Sequence, residues 1–457
     1  MIAAVAKSNF TSAVAPRWGL VALAILFFGT LFYVRLHSFH KSIEIYAMEE
    51  VDAGEELEGG TRNTEKTAAF LLMALVSIWC ILTPSGGKYE IRWLLMLLLA
   101  THLAMCVASI SWSANPPMSM RRVAMLLVCA LAAMGLGRQL NFRELLIFMV
   151  GLASCYSVVG VVAEVLLGTF RPWASDYRFA GTVHPNEQGM LCGATMAGAV
   201  MLAMEFPRYR LVLWGLACTA LCGLLLSKSR TAMACSACSL GLSCVLLLPV
   251  RYWPHLFTAG GFSLASLIAV ISAMPAQYLG DFREMALMGR SEGAANLTGR
   301  LPVWEGLLPH LKSHIWTGFG YRSFWDKARV EEFRDYTGGW QVPDSHNSYL
   351  EMLLNVGVIG AAPFLLAMLI AFFLLCVRGM KKKDSAAAFF AGITLTLFIA
   401  GFTEATLFNN TMFNCLMVTC AVSRLALHRN ADEAVSVDSP NPSSFPLLGN
   451  STPSLVT

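Results

Sequence analysis

The chain has 457 residues, 56% of them hydrophobic and 14% charged, with a formal net charge of +4. A soluble domain carries about 25% charged residues, so this composition excludes a soluble globular protein and describes an all-α polytopic membrane protein with length for about a dozen spans of about 20 residues each. The small net charge, with no basic tract interleaved with aromatics, excludes a nucleic-acid partner.

Apolar runs of spanning length cover 18–34, 67–82, 93–110, 123–137, 145–167, 189–204, 211–226, 231–248, 256–274, 348–377, 386–402 and 411–427. The first begins after Arg17, and its small-residue triplet Ala13-Val14-Ala15 precedes the run. That order is wrong for a cleaved signal peptide, so the run is read as a retained span behind a short N-terminal segment, 1–17. Spans one to nine then occupy 18–274, a large loop runs from 275 to 345, and spans ten to twelve occupy 346–427. The tail, 428–457, is rich in Ser, Pro and Asn and is predicted to be disordered. An even number of spans puts both termini on one side. Lysine and arginine lean mildly towards that side, which predicts cytoplasmic termini. The acidic loop 35–66 offers no readable chemistry.

Outer loops nonetheless keep Arg171, Arg178, Lys228 and Arg230. Cations kept against the topological trend need a reason: an anion to bind, or lipid phosphates reached by snorkelling. The thirteen cysteines all fall in apolar runs, where they act as small hydrophobes. No disulfide framework is implied, and Cys235-x-x-Cys238 lies alone in an apolar stretch with no second ligand pair, so no metal site is predicted.

Within the large loop, Leu301 to His314 has the spacing of a short amphipathic helix with Trp304, Leu307, Leu308 and Leu311 on one side, expected to lie on the membrane surface. The aromatics Trp316, Phe319, Tyr321, Phe324, Trp325, Phe333, Tyr336 and Trp340 follow. They are read either as an interfacial belt or as stacking platforms for sugar rings.

The loop closes on Asp344-Ser345-His346-Asn347-Ser348, where the polar segment returns to the membrane. One reading makes Asp344 or Ser345 a helix cap with His346 in the first turn. The other makes His346 a titratable acid/base group at the membrane–water boundary. Arg230 begins the eighth span, Arg300 precedes Trp304, and Arg178 precedes His184-Pro185-Asn186. Guanidinium groups grip phosphate oxygens in fork geometry. Arginines and a histidine converging at one face would suit a lipid-linked pyrophosphate, with the histidine taking a proton from an attacking hydroxyl. No Asp-x-Asp occurs, so the carboxylate pair of a metal-dependent nucleotide-sugar transferase is missing.

These residues resemble a known family. His346-Asn347, nine residues, then Gly357-Val358-Ile359-Gly360 fits the pattern H-[NSQ]-x9-G-x-x-[GTY] of O-antigen ligases. Ser229-Arg230-Thr231, Gly299-Arg300-Leu301 with Trp304, and a twelve-span plan with one large loop before the tenth span are similar to that family too. The likeness covers about residues 70 to 425, and Wzy-type O-antigen and exopolysaccharide polymerases share the same domain. The resemblance implies an inverting membrane glycosyltransferase of the bacterial inner membrane, independent of metals and cofactors. Its donor is an undecaprenyl-diphosphate-linked glycan, and its acceptor is lipid A-core or another glycan on the periplasmic face. It implies His346 as the base, Arg230 and Arg300 as pyrophosphate ligands, and Arg178 as a further substrate-binding residue in an R-x-x-G element. Asp344 and Glu351 are the nearest carboxylates in sequence for orienting His346, or else charges complementing a helix dipole. His184 and the acidic loop depart from the pattern. Two rivals stay open: a polymerase of lipid-linked repeats, and a transporter of polysaccharide or lipid-linked sugar built on Glu164, with Glu404 and His102 nearer span ends.

Overall fold

The computed structural model describes residues 16–34, 64–84, 89–273, 300–336, 342, 344–407 and 413–429. The predicted cytoplasmic N-terminus, the acidic loop, the first part of the large loop and the disordered tail fall almost wholly outside these residues. The chain opens with α1 (Pro16–Gly29), which continues through the π-helical turn Thr30–Val34, then α2 (Thr64–Leu82), α3 (Trp93–Ala108), α4 (Pro116–Gln139) and α5 (Phe142–Leu166). Next come α6 (Pro185–Glu205), α7 (Arg210–Leu226), α8 (Arg230–Leu247) and α9 (Trp253–Ala273). The large loop contributes α10 (Arg300–Ser313) and α11 (Lys327–Tyr336), and the chain ends with α12 (Ser348–Lys382), α13 (Ser385–Ala400) and α14 (Phe413–Ala426). Twelve of these fourteen helices coincide with the twelve apolar runs. Seven are long and apolar enough to cross a membrane, and three shorter apolar helices accompany them. The protein is an all-α polytopic membrane protein. The strands among the described residues are two short ones, β1 (Tyr89–Ile91) and β2 (Leu427–Arg429), whose antiparallel pairing ties the start of α3 to the end of α14.

Local chemistry sets the helix starts. Asn115 accepts from the Met118 N–H ahead of Pro116, and Asn141 and Glu144 form a reciprocal capping box. Ser229 and Asp384 cap α8 and α13. Leu71, Leu94, Leu97, Val158 and Leu211 point outwards, as lipid-facing positions must. Inside, small residues let backbones approach: Gly193 faces Ser236, and Gly392 faces Ser239 and Ser243. The last contact belongs to an antiparallel pair. The Thr396 hydroxyl bonds the Cys235 carbonyl at 3.2 Å and the Ser243 hydroxyl the Ala388 carbonyl at 3.0 Å, which fixes the register of α8 against α13.

The large loop builds a core of its own on α12. Val303, Leu307 and Leu311 of α10 pack with Phe324, Trp325, Phe333 of α11, Val342 and Leu354 of α12. The buried face of α10 is thus 303/307/311 with Trp304 packed half-buried beside it, and of the expected positions Leu308 is left 51% exposed. Tyr321, Phe324, Trp325 and Phe333 are buried, so they are core and neither belt nor sugar platform. Trp316 stays exposed, and Trp340 lies outside the described residues.

Helix α12 is broken at Gly357, where φ is +60° and ψ −171°. Residues 315–320 fill the break. Val358 and Ile359 donate to the carbonyls of Ile315 and Trp316 at 2.8 and 3.2 Å, and Phe319 and Gly320 donate to those of Leu354 and Asn355 at 2.7 and 3.1 Å. A broken helix at membrane depth is tolerated only where protein satisfies its backbone. A Cβ at position 357 would overlap the Trp316 carbonyl, and the backbone lies in a region open to glycine alone.

Candidate functional site

His346 sits just before α12, with a left-handed φ of 45° that costs a non-glycine residue. Its loop is over-determined. The His346 N–H donates to Asp344 Oδ1 at 2.7 Å, the Ser345 N–H to Glu351 Oε2 at 3.1 Å, and the Trp304 indole N–H to the Ser345 carbonyl at 2.9 Å. The Ser348 N–H bonds the Gly401 carbonyl at 2.7 Å, and the Ser348 hydroxyl bonds the Glu404 carbonyl at 2.7 Å. The helix cap is Asn347, whose Oδ1 accepts from Tyr349 and Leu350. Neither Asp344 nor Ser345 is the cap, and His346 lies before the first turn rather than in it. Glu351 is buried and engaged by Ser345, Trp325 and Asn355. It orders the loop and does not orient the imidazole.

The residue that gathers the site is Glu404, in the turn after α13. Its Oε1 accepts from Arg300 Nη2 at 2.9 Å and from Asn186 Nδ2 at 3.0 Å, and its Oε2 lies 3.9 Å from His346 Nδ1. Asp344 Oδ1 is 3.4 Å from the same nitrogen. The side chains of His346, Arg300 and Glu404 are 21%, 16% and 13% exposed, against 36% for Asp344, so Glu404 faces His346 from the drier side. Burial alone would push the Glu404 carboxyl up, but His346, Arg300 and His184 together hold it below its ordinary value. Burial alone would likewise lower the imidazole, and Asp344 and Glu404 outweigh it, with Arg300 opposing, so His346 is raised.

Arg178 joins this network from the α5–α6 loop. It donates through Nε to the Ser227 carbonyl and through Nη2 to Asn186 Oδ1, both at 3.1 Å. Glu164 staples that loop: its Oε1 accepts from Ala180 and Gly181 at 3.0 and 2.6 Å, and its Oε2 from the Tyr177 hydroxyl at 2.5 Å. His184 caps α6 by accepting from the Asn186 N–H. Arg230 is the first residue of α8. Continuing the α8–α13 register by one turn brings it level with Ala400 and Gly401, immediately ahead of Glu404 and beside Ser348. It is partly exposed, and no ion pair to it occurs among the described residues.

One end of the bundle therefore holds His346, Arg300, Arg178 and the start of α8, joined through Glu404 and Asn186. Sequence reasoning did not place Glu404 or Asn186 here. The one available signal was an acid in the short turn between the last two spans, on the side of His346 by the alternation of spans. Among the described residues no three His, Cys, Asp or Glu side chains cluster as a metal ligand set. This end can bind a polyanion and hold a proton-accepting imidazole beside it.

Residues 214–365 match the model of the O-antigen ligase family. The chain carries an O-antigen ligase domain. The domain contains Arg230, Arg300, His346, Gly357 and Gly360, while Arg178, Asn186 and Glu404 approach it from outside its limits. The chain is also 27% identical over 317 residues to the exopolysaccharide production protein ExoQ of Rhizobium meliloti, covering 65% of this chain and 69% of that one. Both likenesses are to proteins of O-antigen ligation and exopolysaccharide production.

Proposed function

We propose that this O-antigen ligase domain transfers a glycan from an undecaprenyl-diphosphate carrier to a hydroxyl acceptor at the periplasmic face of the bacterial inner membrane. The observation that carries the reading is the meeting of His346 and Arg300 on Glu404 at the end of the bundle where α8 starts. His346 accepts the proton of the acceptor hydroxyl. The oxygen attacks the anomeric carbon from the face opposite the carrier, and the carbon–oxygen bond to the diphosphate breaks with inversion. The diphosphate leaves with its bonding pair, its charge taken up by Arg300 and Arg230. A leaving group neutralised in this way needs no general acid, and the reaction as written needs no cofactor. Arg178, whose Nε and Nη2 already bond the Ser227 carbonyl and Asn186, serves better to hold Asn186 and the α7–α8 turn in place than to grip phosphate.

The acceptor is either lipid A-core, as for a ligase, or another lipid-linked glycan, as for a polymerase. The printed name of the Rhizobium relative favours exopolysaccharide as the product. The transporter reading finds its ionisable residues committed elsewhere. Glu164 staples a loop, His102 bonds the Gly360 carbonyl at 2.8 Å, and Glu404 belongs to the site. The test is transfer in proteoliposomes from a lipid-diphosphate glycan. Substitution His346→Ala should cost about 10²–10⁴-fold in rate, the contribution of a positioned base, and Arg300→Ala and Arg230→Ala should weaken donor use, all with normal insertion. Wild-type rates from His346→Ala would sink the base assignment, and movement of the glycan with its linkage unchanged would sink the transferase.

A further inference from the structure

The end of the bundle opposite His346 carries a second set of unusual features. Arg143 pairs with Glu205 at 2.7 Å, Arg378 with Asp384 at 2.6 Å, and Lys383 bonds the Leu248 carbonyl at 2.8 Å. Arg424 is 3% exposed and reaches the Leu427 carbonyl. Arg92 precedes α3, its backbone N–H bonding the Ala426 carbonyl at 2.9 Å. The Arg92 Nη1 atom is buried and finds no hydrogen-bond partner among the described residues. Glu90 attracts this guanidinium and Arg378 repels it. A buried guanidinium nitrogen without a partner is costly and fits an anion supplied from outside the chain.

A cavity of about 190 Å³ lies among α3, α4 and α14, one helical turn from Arg92 at Met96. Its walls are Met96 and Leu103 of α3, Leu126 and Ala130 of α4, Leu416 of α14, and Leu427. Arg92 is not itself in the lining but neighbours two residues that are: Met96 is one turn along α3, its N–H bonding the Arg92 carbonyl, and Leu427 pairs with Ile91 in the two-stranded ladder. The lining is mostly apolar, and of its polar side chains His102, Thr419 and Ser423 the first two are bonded to carbonyls. His102 bonds the Gly360 carbonyl, and the Thr419 hydroxyl bonds the Cys415 carbonyl within its own helix. Apolar cavities of about 150 Å³ stay dry and take up hydrocarbon, and this one lies among helices that face lipid.

We propose that this cavity and Arg92 form a binding site for an anionic glycerophospholipid of the bilayer, with an acyl chain in the slot and the phosphate on Arg92. Charge complementarity selects the head, and the dry walls select the tail. The site is distinct from the donor site. His346 lies at the far end of helices about 30 Å long, so one lipid head cannot serve both. The lipid would fill a gap between α3, α4 and α14 and steady the bundle from the side away from the chemistry.

The test uses the purified full chain, with dioleoylphosphatidylglycerol and dioleoylphosphatidylcholine as probes, followed by native mass spectrometry and thermal unfolding. The wild type should retain phosphatidylglycerol and be stabilised by it more than by phosphatidylcholine. Arg92→Gln should reduce phosphatidylglycerol retention at least tenfold, Arg92→Lys should keep most of it, and Ala130→Phe should exclude both lipids. His346→Ala should bind phosphatidylglycerol as the wild type does, which separates this site from the transfer reaction. Equal retention of the two lipids by the wild type would overturn the proposal. So would unchanged phosphatidylglycerol retention in monodisperse Arg92→Gln and Ala130→Phe, or equal stabilisation by inorganic phosphate alone.

Discussion

His346 faces two carboxylates and one guanidinium, and the balance among them sets its titration. Because Asp344 and Glu404 raise the imidazole above its ordinary value, a base at this position works only as pH climbs past that raised value. Removing the Glu404 charge removes part of the stabilisation of the protonated form, so the imidazole falls. The acid limb of the transfer rate in Glu404→Gln should therefore shift to lower pH relative to the wild type. A rate–pH profile in proteoliposomes checks this, and an unmoved acid limb would show that Glu404 does not act through His346. His346, Arg230 and Arg300 were legible because each sits in a short pattern of neighbours. Glu404 was not, because its partners Arg300, His346 and Asn186 come from three other parts of the chain and meet it only after α6, α12 and α13 have packed. The helix cap was misplaced for a related reason: Asp344, Ser345 and Asn347 are all good caps, and only the left-handed turn at His346 selects the last.

At the scale of elements, the apolar runs gave the spans because hydrophobic length is nearly sufficient to specify them. They could not give the break in α12, since hydropathy runs on through 348–377 without interruption. The glycine at 357 was visible as part of a spacing, but its reason was not: the α10–α11 segment has to enter the helix there. Substitution Gly357→Ala combines a forbidden backbone region with an overlap against the Trp316 carbonyl. It should destabilise the protein by at least about 3 kcal/mol, read as a lowered thermal midpoint in detergent. Gly360→Ala meets Val356 and Met105 but keeps an ordinary helical backbone, so it lacks the added backbone strain and should cost less. The expected α10 face fails at Leu308, and Phe333 and Trp325, not the membrane, cover the rest of it.

Over the whole molecule, cations lie at both ends but in different segments. The His346 end carries its cations around Glu404 and through the large loop, while the short loops and helix ends of the far side collect Arg92, Arg143, Arg378, Lys381, Lys382, Lys383 and Arg424. Segments rich in lysine and arginine stay in the cytoplasm. A fluorescent protein fused after Thr457 should therefore fluoresce, and alkaline phosphatase fused at the same place should be inactive. The reverse pattern would invert the topology and put His346 on the wrong face for a periplasmic acceptor. Composition and length made the polytopic helical class readable, with seven helices long and apolar enough to span and three shorter ones among the described residues, while the orientation rests on a mild bias in the short loops.

The break at Gly357 also bears on how the protein is made. Most membrane helices carry their full set of backbone hydrogen bonds as they leave the ribosome and can enter the bilayer one at a time. α12 cannot, because the amides of Val358 and Ile359 and the carbonyls of Leu354 and Asn355 find their partners in residues 315–320. That segment is synthesised first and must wait at the membrane surface for α12 to arrive. Insertion of the tenth span and docking of the loop are then a single event in biogenesis. A chain whose loop is mistimed or cleaved would leave its tenth span stalled at the interface and open to quality-control proteolysis.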